Sequence, residues 1–369
     1  MKYFIIAGER SGDLHGSNLI KALKNKDTEA EIQCWGGDMM QEAGAKLLKH
    51  YQEISFMGFA EVLTNVTKIF NALKECKSNI LAFKPDVVIL IDFAGFNLRI
   101  AKFAKANNIK VFYYISPKVW AWNQSRANKI KALVDKMFVI LPFEKEFYKK
   151  FEYEVDYVGN PLNDAVAAFT KNSDFISENR ISDKPIIAIL PGSRKQEVLT
   201  MLHVMVSIIP SFPEYNFVIA AVSNLPKEYY EDFKKNNRVE VVYDKTYDLL
   251  SVAAAAVVTS GTATLETALF EVPQVVVYKA SPVTYAIAKA LIKVKYISLV
   301  NLVAEKEVVK ELIQDEFNAA SLTNELRKIL PGTSERESQK AGYGKIKEVL
   351  GKPGASDKAA GLMIGYLKN

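Results

Sequence analysis

The chain has 369 residues, of which 49% are hydrophobic and 24% charged, and a formal net charge of +6. This is the composition of an ordinary soluble globular protein, and the length exceeds what one core usually supports, so two domains are expected. The basic excess is too small to argue for nucleic acid and suits anionic substrates or an anionic membrane surface. The two cysteines, Cys34 and Cys76, exclude a disulfide framework.

The first apolar run, residues 1–7, ends at Gly8-Glu9-Arg10. It is too short for a signal peptide and lacks a small-residue cleavage site, so it reads as a buried strand at 4–7. A helical pattern follows at 14–23. Further strands are expected at 87–91, 111–115 and 137–140, with helices at 98–106 and 126–133 between them. Strands alternating with helices imply a parallel sheet covered on both faces. The pattern breaks at Gly159-Asn160-Pro161 and over the polar stretch 170–184. A second series then runs through strands at 186–190, 217–221, 239–242, 254–258 and 274–277. From Ser334 the tail reads as helices interrupted at Lys352-Pro353-Gly354, and the last is expected to cross back to the first domain. The expected fold is therefore α/β, with two Rossmann-like domains facing a cleft at the strand carboxyl ends. The divisions are 1–168, 169–345 and a returning helix at 346–369. No stretch reaches ~18 uncharged apolar residues, so no transmembrane helix is expected. The protein is expected to be cytoplasmic, with peripheral membrane contact only. His15, His50 and His203 are scattered without zinc-ligand spacing, and no metal is expected.

Four motifs sit where a strand gives way to a helix. Gly8-Glu9-Arg10-Ser11-Gly12-Asp13 follows the first strand; its glycines let a ligand approach the backbone, and a helix N-terminus favours an anion. Ser11 or Asp13 would serve equally as a plain helix cap. No Gly-x-Gly-x-x-Gly or Gly-x-x-x-x-Gly-Lys-Ser/Thr occurs, which removes support for dinucleotide binding and P-loop hydrolysis. Asp92, at the end of a strongly apolar strand, stands where partial desolvation suits a general base, or where an Asp simply caps a helix. Leu190-Pro191-Gly192-Ser193-Arg194 combines backbone N–H groups with an arginine, a metal-free diphosphate site, unless Arg194 is only a solvated helix-start residue. Ser260-Gly261-Thr262-Ala263-Thr264-Leu265-Glu266 offers donors to phosphate, and Glu266 a carboxylate for ribose hydroxyls. The same polar spacing also makes a capping box.

Two segments suit lipid. Phe59 to Leu63, continuing through Val66, Ile69, Phe70 and Leu73, carries a helical apolar stripe. Tyr285 to Tyr296 is largely apolar and carries Lys289, Lys293 and Lys295, the pattern of an interfacial helix on anionic lipid. A core helix with snorkelling lysines has the same composition.

Taken together, these motifs resemble the lipid-A-disaccharide synthase family. The resemblance is carried by Ala7-Gly-Glu-Arg-Ser-Gly-Asp13, Phe56-Met-Gly-Phe-Ala-Glu-Val-Leu63, Lys84-Pro-Asp-Val87 with Asp92 and Phe96-Asn97, and Tyr114-Ile-Ser-Pro-Lys-Val-Trp-Ala-Trp122. It continues through Leu141-Pro-Phe-Glu-Lys145, Val158-Gly-Asn160, Leu190-Pro-Gly-Ser-Arg194, Ser260 to Glu266 and Tyr296-Ile-Ser-Leu-Val-Asn-Leu302. It implies the GT-B glycosyltransferase fold. It also implies an inverting transfer of 2,3-diacylglucosamine from UDP to the 6-hydroxyl of 2,3-diacylglucosamine 1-phosphate (lipid X), on the inner face of the inner membrane, without cofactor. By resemblance Asp92 is the base. Glu9, Ser11, Gly12 and Met57 lie on the acceptor side, and Ser193, Arg194, Ser260, Gly261, Thr262, Glu266 and Asn301 hold UDP. Many members have Pro-Asp where this chain has Ala94-Gly95, so an auxiliary carboxylate is missing. The competing readings are another two-domain UDP-sugar transferase or epimerase, or a non-catalytic sugar-nucleotide or lipid binding protein. Exposed apolar surface would serve a homo-oligomer as readily as a membrane.

Overall fold

The apolar runs become the centres of two parallel sheets. In the computed structural model, which describes residues 1–54, 66–234, 239–281, 285, 289 and 294–368, the chain divides into two units. One comprises Met1–Asp164 with Pro353–Asn369, the other Ala165–Lys352.

The first unit holds β1 (Lys2–Ala7), β2 (Glu31–Gly36), β3 (Lys46–His50), β4 (Val87–Ile91), β5 (Lys110–Tyr114), β6 (Lys136–Val139) and β7 (Asp156–Tyr157), in the order β3-β2-β1-β4-β5-β6-β7. The second holds β8 (Ile186–Leu190), β9 (Asn216–Ala221), β10 (Val239–Tyr243), β11 (Ala253–Thr259), β12 (Gln274–Tyr278) and β13 (Lys310–Ile313), in the order β10-β9-β8-β11-β12-β13. In each sheet the strand order reverses once, between β1 and β4 and between β8 and β11. Loops leave on opposite faces at such a point and open a crevice at the strand carboxyl ends, the usual ligand position in this architecture.

The central strands are continuous apolar runs because both of their faces are covered. In β8, Ile187 and Ile189 pack with Met201, Leu202 and Met205 of helix Lys195–Ser207. Ile186, Ala188 and Leu190 face the other way, toward Phe175, Leu249 and Leu250. Successive side chains alternate across a strand, so one five-residue run feeds two cores. The strands unannounced by an apolar run are peripheral or short: β2, β3, the two-residue β7 and the edge strand β13.

The last helix, Ala355–Lys368, packs against helix Arg10–Lys26 within the first unit. Its N-terminus is capped from afar. The Asp164 carboxylate accepts from the backbone N–H groups of Gly354 (2.5 Å), Ala355 (3.2 Å) and Ser356 (2.9 Å), placing a negative charge on the positive end of the helix dipole. Among the described residues no helix is long and apolar enough to cross a membrane.

Candidate active site

Two of the sequence motifs meet at the switch point of the first unit. Ala7 of β1 pairs with Ile91 of β4, so the turn at Gly8 and the turn at Asp92 leave the sheet side by side. Asp92 (φ 44°) and Phe93 (φ 47°) are both left-handed, which costs a non-glycine residue about 1–2 kcal/mol each. The geometry is held from two sides. The Asn97 amide donates to the Asp92 carbonyl (2.9 Å) and to the Ile91 carbonyl (3.1 Å), and the Tyr113 hydroxyl also donates to the Asp92 carbonyl. Buried hydrogen bonds of this kind contribute about 0.5–1.5 kcal/mol each. Tyr113 is fully buried, and burial together with the neighbouring Asp92 charge pushes its hydroxyl well above the usual tyrosine range, so it remains a donor. Asp92 itself is half-buried at the strand end.

Phe93 fixes the other wall. A Cβ on Gly8 would lie 2.2 Å from the Phe93 ring, so only glycine fits there. The ring stacks on Phe96 (5.6 Å between centroids), which stacks on Trp35 (5.8 Å).

The rest of the first motif divides its labour. Glu9 is the N-cap residue of helix Arg10–Lys26 but makes no side-chain cap bond. Ser11 is half-buried in the first turn. Gly12 is buried, and a Cβ there would sit 3.1 Å from the Ala7 side chain; its role is close helix-to-strand packing. Asp13 does not cap its own helix. Its carboxylate accepts from Gly37 (2.8 Å), Met39 (3.2 Å) and Met40 (3.1 Å) N–H, capping the short helix Asp38–Glu42 instead. Burial pushes the Asp13 carboxyl up despite these donors.

The second unit repeats the arrangement at β8 and β11, where Leu190 pairs with Val258. After β8, Gly192 has φ 104°, and the Glu197 side chain folds under the turn. Glu197 accepts from the N–H of Ser193 (3.2 Å) and Arg194 (3.3 Å), and its other oxygen lies 3.6 Å from the Arg194 guanidinium. The N–H groups suggested for a diphosphate thus hold an internal carboxylate in this structure, while the Arg194 side chain is 65% exposed. After β11, Ser260 donates its hydroxyl to the Ile297 carbonyl (3.0 Å). At Gly261, the N-cap of helix Thr262–Leu269, an added Cβ would touch only the Thr259 carbonyl oxygen, at 4.0 Å, and Thr262 in the first turn is half-buried; helix N-termini of this kind favour anions. One turn on, Glu266 accepts from the Tyr247 hydroxyl (2.8 Å).

A family model described as lipid-A-disaccharide synthetase matches residues 3–362. The chain is 37% identical to a lipid-A-disaccharide synthase of Geobacter metallireducens over 99% of this chain and 97% of that one. It is 38% identical to one of Syntrophus aciditrophicus, again over 99% and 97%. The chain belongs to the lipid-A-disaccharide synthase family. It is a glycosyltransferase that forms the lipid A disaccharide. Its fold resembles that of a Methanocaldococcus jannaschii UDP-GlcNAc 2-epimerase solved with UDP-GlcNAc and UDP (TM-score 0.69, 15% identity, covering 99% of this chain and 100% of that one), a likeness of fold alone. The fold is GT-B.

In this synthase one suggested ligand residue is engaged within the protein itself. Asn301 is fully buried. Its amide nitrogen donates to the Val309 carbonyl and to Glu311 (both 2.9 Å), and its amide oxygen accepts from Val308 (2.7 Å) and Val309 (3.0 Å) N–H. With all four bonds internal, it braces the segment that begins at Ser298. Met57 and the stripe up to residue 65 lie outside the described residues. From Val66 onward the helix turns Leu73, Cys76 and Ile80 inward and leaves Phe70 67% exposed. Most of the second lipid-suited segment also lies outside the described residues. The residues that sequence reasoning missed are Asn97, Tyr113, Glu197, Tyr247 and Glu311. All are polar side chains that orient another group. Asn97 and Tyr113 stood within the motifs or strands that were read, but nothing in their spacing announced a target.

Proposed function

We propose that this synthase transfers 2,3-diacylglucosamine from UDP to the 6-hydroxyl of lipid X with inversion, Asp92 acting as the base. The observation that carries this is the position of Asp92: a half-buried carboxylate at the switch point of the first sheet, locked by its own backbone and walled by Phe93 against Gly8. Inversion needs one base on the acceptor side and electrostatic stabilisation of the departing diphosphate. Asp92 would accept the proton of the 6-hydroxyl as that oxygen attacks the anomeric carbon, and the anomeric C–O bond to UDP breaks with its electrons going to the diphosphate. On the donor side, the open helix end at Gly261–Thr262 and the Arg194 guanidinium suit that developing charge, and Glu266 suits the ribose hydroxyls. Ser193 and Arg194 N–H would join them where phosphate replaces the Glu197 carboxylate. Glu9 and Ser11 belong to the acceptor side. Both substrates carry acyl chains, so the enzyme would work as a peripheral protein on the cytoplasmic face of the inner membrane; exposed Phe70 supports that reading.

The test is a mixed-micelle assay with UDP-2,3-diacylglucosamine and lipid X, following UDP and the tetraacyl disaccharide 1-phosphate. Asp92→Asn should lower kcat by about 100-fold or more, the scale of a lost general base, with UDP affinity by calorimetry unchanged. Turnover within a few-fold of the parent would make Asp92 structural.

A further inference from the structure

The left-handed backbone at Asp92 has a purpose that the base role alone does not explain. Nothing in the strand requires it: β4 is regular up to Ile91, and the following helix begins without a side-chain cap. Two consecutive non-glycine residues in this region persist only where the surroundings over-determine them. Here the determinants are two side chains aimed at one atom. Asn97, on the helix that follows, and Tyr113, on the neighbouring strand, converge on the Asp92 carbonyl. Both are fully buried, and Asn97 also takes the preceding carbonyl of Ile91. The register explains the reach of Tyr113: Leu90 pairs with it and Ile91 with Tyr114, so its ring lies beside the strand end. Burial keeps its hydroxyl protonated, so the anchor is a neutral donor that brings no second charge to the base.

We infer that Tyr113 and Asn97 are positioning residues for the transfer reaction, fixing the direction of the Asp92 carboxylate by clamping its backbone carbonyl. This rests on Asp92 being the base. Without the clamp, residues 92–93 relax toward an ordinary strand-to-helix turn, and the carboxylate swings away from the acceptor hydroxyl while the substrate-binding groups stay in place. The signature is therefore a loss in kcat and not in KM.

Tyr113→Phe removes the donor and keeps the ring. Measured in the micelle assay, it should lower kcat by about 10- to 100-fold, the cost of a misplacement near 1 Å. KM for both substrates should stay within about threefold, because ground-state binding is untouched. In the Asp92→Asn background the same change should have no further effect, because the clamp then has no base to aim. Three results would overturn the inference: Tyr113→Phe with the parent kcat, a shift confined to KM, or an equal further loss in the Asp92→Asn background. If Asp92→Asn alone retains near-parent turnover, the base assignment fails first and takes the clamp with it, a result distinct from the other three. Should Tyr113→Phe melt below the assay temperature, Asn97→Ala carries the same test through the other donor.

Discussion

His15 offers a measurement that tests how the closing helix is seated. It lies on helix Arg10–Lys26, 5% exposed, and its Nδ1 has no hydrogen-bond partner among the described residues. Burial pushes its pKa down to about 4, from 6.5, against the opposing pull of the Asp164 charge. Burial outweighs the Asp164 charge, whose carboxylate also accepts from Gly354, Ala355 and Ser356 N–H. The folded-state pKa is depressed, so the unfolded chain binds the proton first. The stability this neutral imidazole contributes is complete above pH 6.5 and is lost as pH falls toward 4. At pH 5 nearly every unfolded molecule but only about one folded molecule in ten is protonated, and at 1.36 kcal/mol per pKa unit the difference is about 2 kcal/mol. The parent should lose about 2 kcal/mol more than His15→Gln between pH 7.5 and pH 5 in urea unfolding. The chain has only three histidines, so imidazole NMR can follow the group directly. The resonance missing from His15→Gln should hold its neutral-form shift down to pH 5. A midpoint above 6 would refute the reasoning, showing that the Asp164 charge reaches the ring in spite of its helix cap.

Two further outcomes follow from packing. Gly8→Ala should force the Phe93 ring off Gly8 and destabilise the protein by about 1–3 kcal/mol, with turnover falling alongside because Phe93 is joined to Asp92; Phe93→Ala in the same chain should recover much of the lost stability, and failure of that rescue in thermal melts would mean that the clash is not with Phe93. Asn301→Ala should lower stability by about 2–3 kcal/mol, since it strands the Val308 and Val309 N–H groups, at about 1–3 kcal/mol each, while Glu311 keeps the Ile297 and Ser298 N–H groups. A variant as stable as the parent but with weaker UDP binding would return Asn301 to the ligand set.

The centre of each sheet was readable because a strand buried on both faces must be apolar throughout, as Val87–Ile91 and Ile186–Leu190 are. The peripheral strands were not. Lys46–His50 is at best half-buried, and Lys310–Ile313 alternates weakly at a sheet edge, so neither needs an apolar run. The strand-to-helix turns were readable too, since glycines and short polar residues at such boundaries have few uses. What local pattern could not supply was the target of each polar side chain. Asp13 looked like a cap for its own helix and caps one that begins 25 residues later. Asn301, assigned to UDP by resemblance, is also a brace for residues 308 and 309. In both cases the partner is set by sheet topology, which spacing along the chain does not encode. The missing auxiliary carboxylate at Ala94-Gly95 was visible as a departure from the family. The neutral donors at Asn97 and Tyr113, which bond the Asp92 backbone carbonyl, were not recognisable until Leu90 was seen paired with Tyr113.

The two switch points differ in a way that follows from what each must do. A base must be aimed and partly dried: too much solvent lowers its basicity, and too much freedom costs alignment. As the proposed base, Asp92 would meet both needs on a left-handed backbone, with neutral donors on its carbonyl and an aromatic stack behind Phe93. A leaving diphosphate needs the opposite, because it arrives with the donor and departs after reaction. Its site would have to offer charge and N–H groups that open to solvent. Arg194 and Ser193 are exposed, and a Cβ on Gly261 would meet nothing nearer than the Thr259 carbonyl at 4.0 Å, which suits that role. The Glu197 carboxylate under the Gly192 turn fits the same logic. If the proposed diphosphate site is right, the internal carboxylate keeps the turn folded and would yield to a phosphate of like charge. On the proposed reading, the two halves of the enzyme use one topology for two electrostatic tasks, a fixed acceptor of protons in the first unit and an exchangeable acceptor of anions in the second.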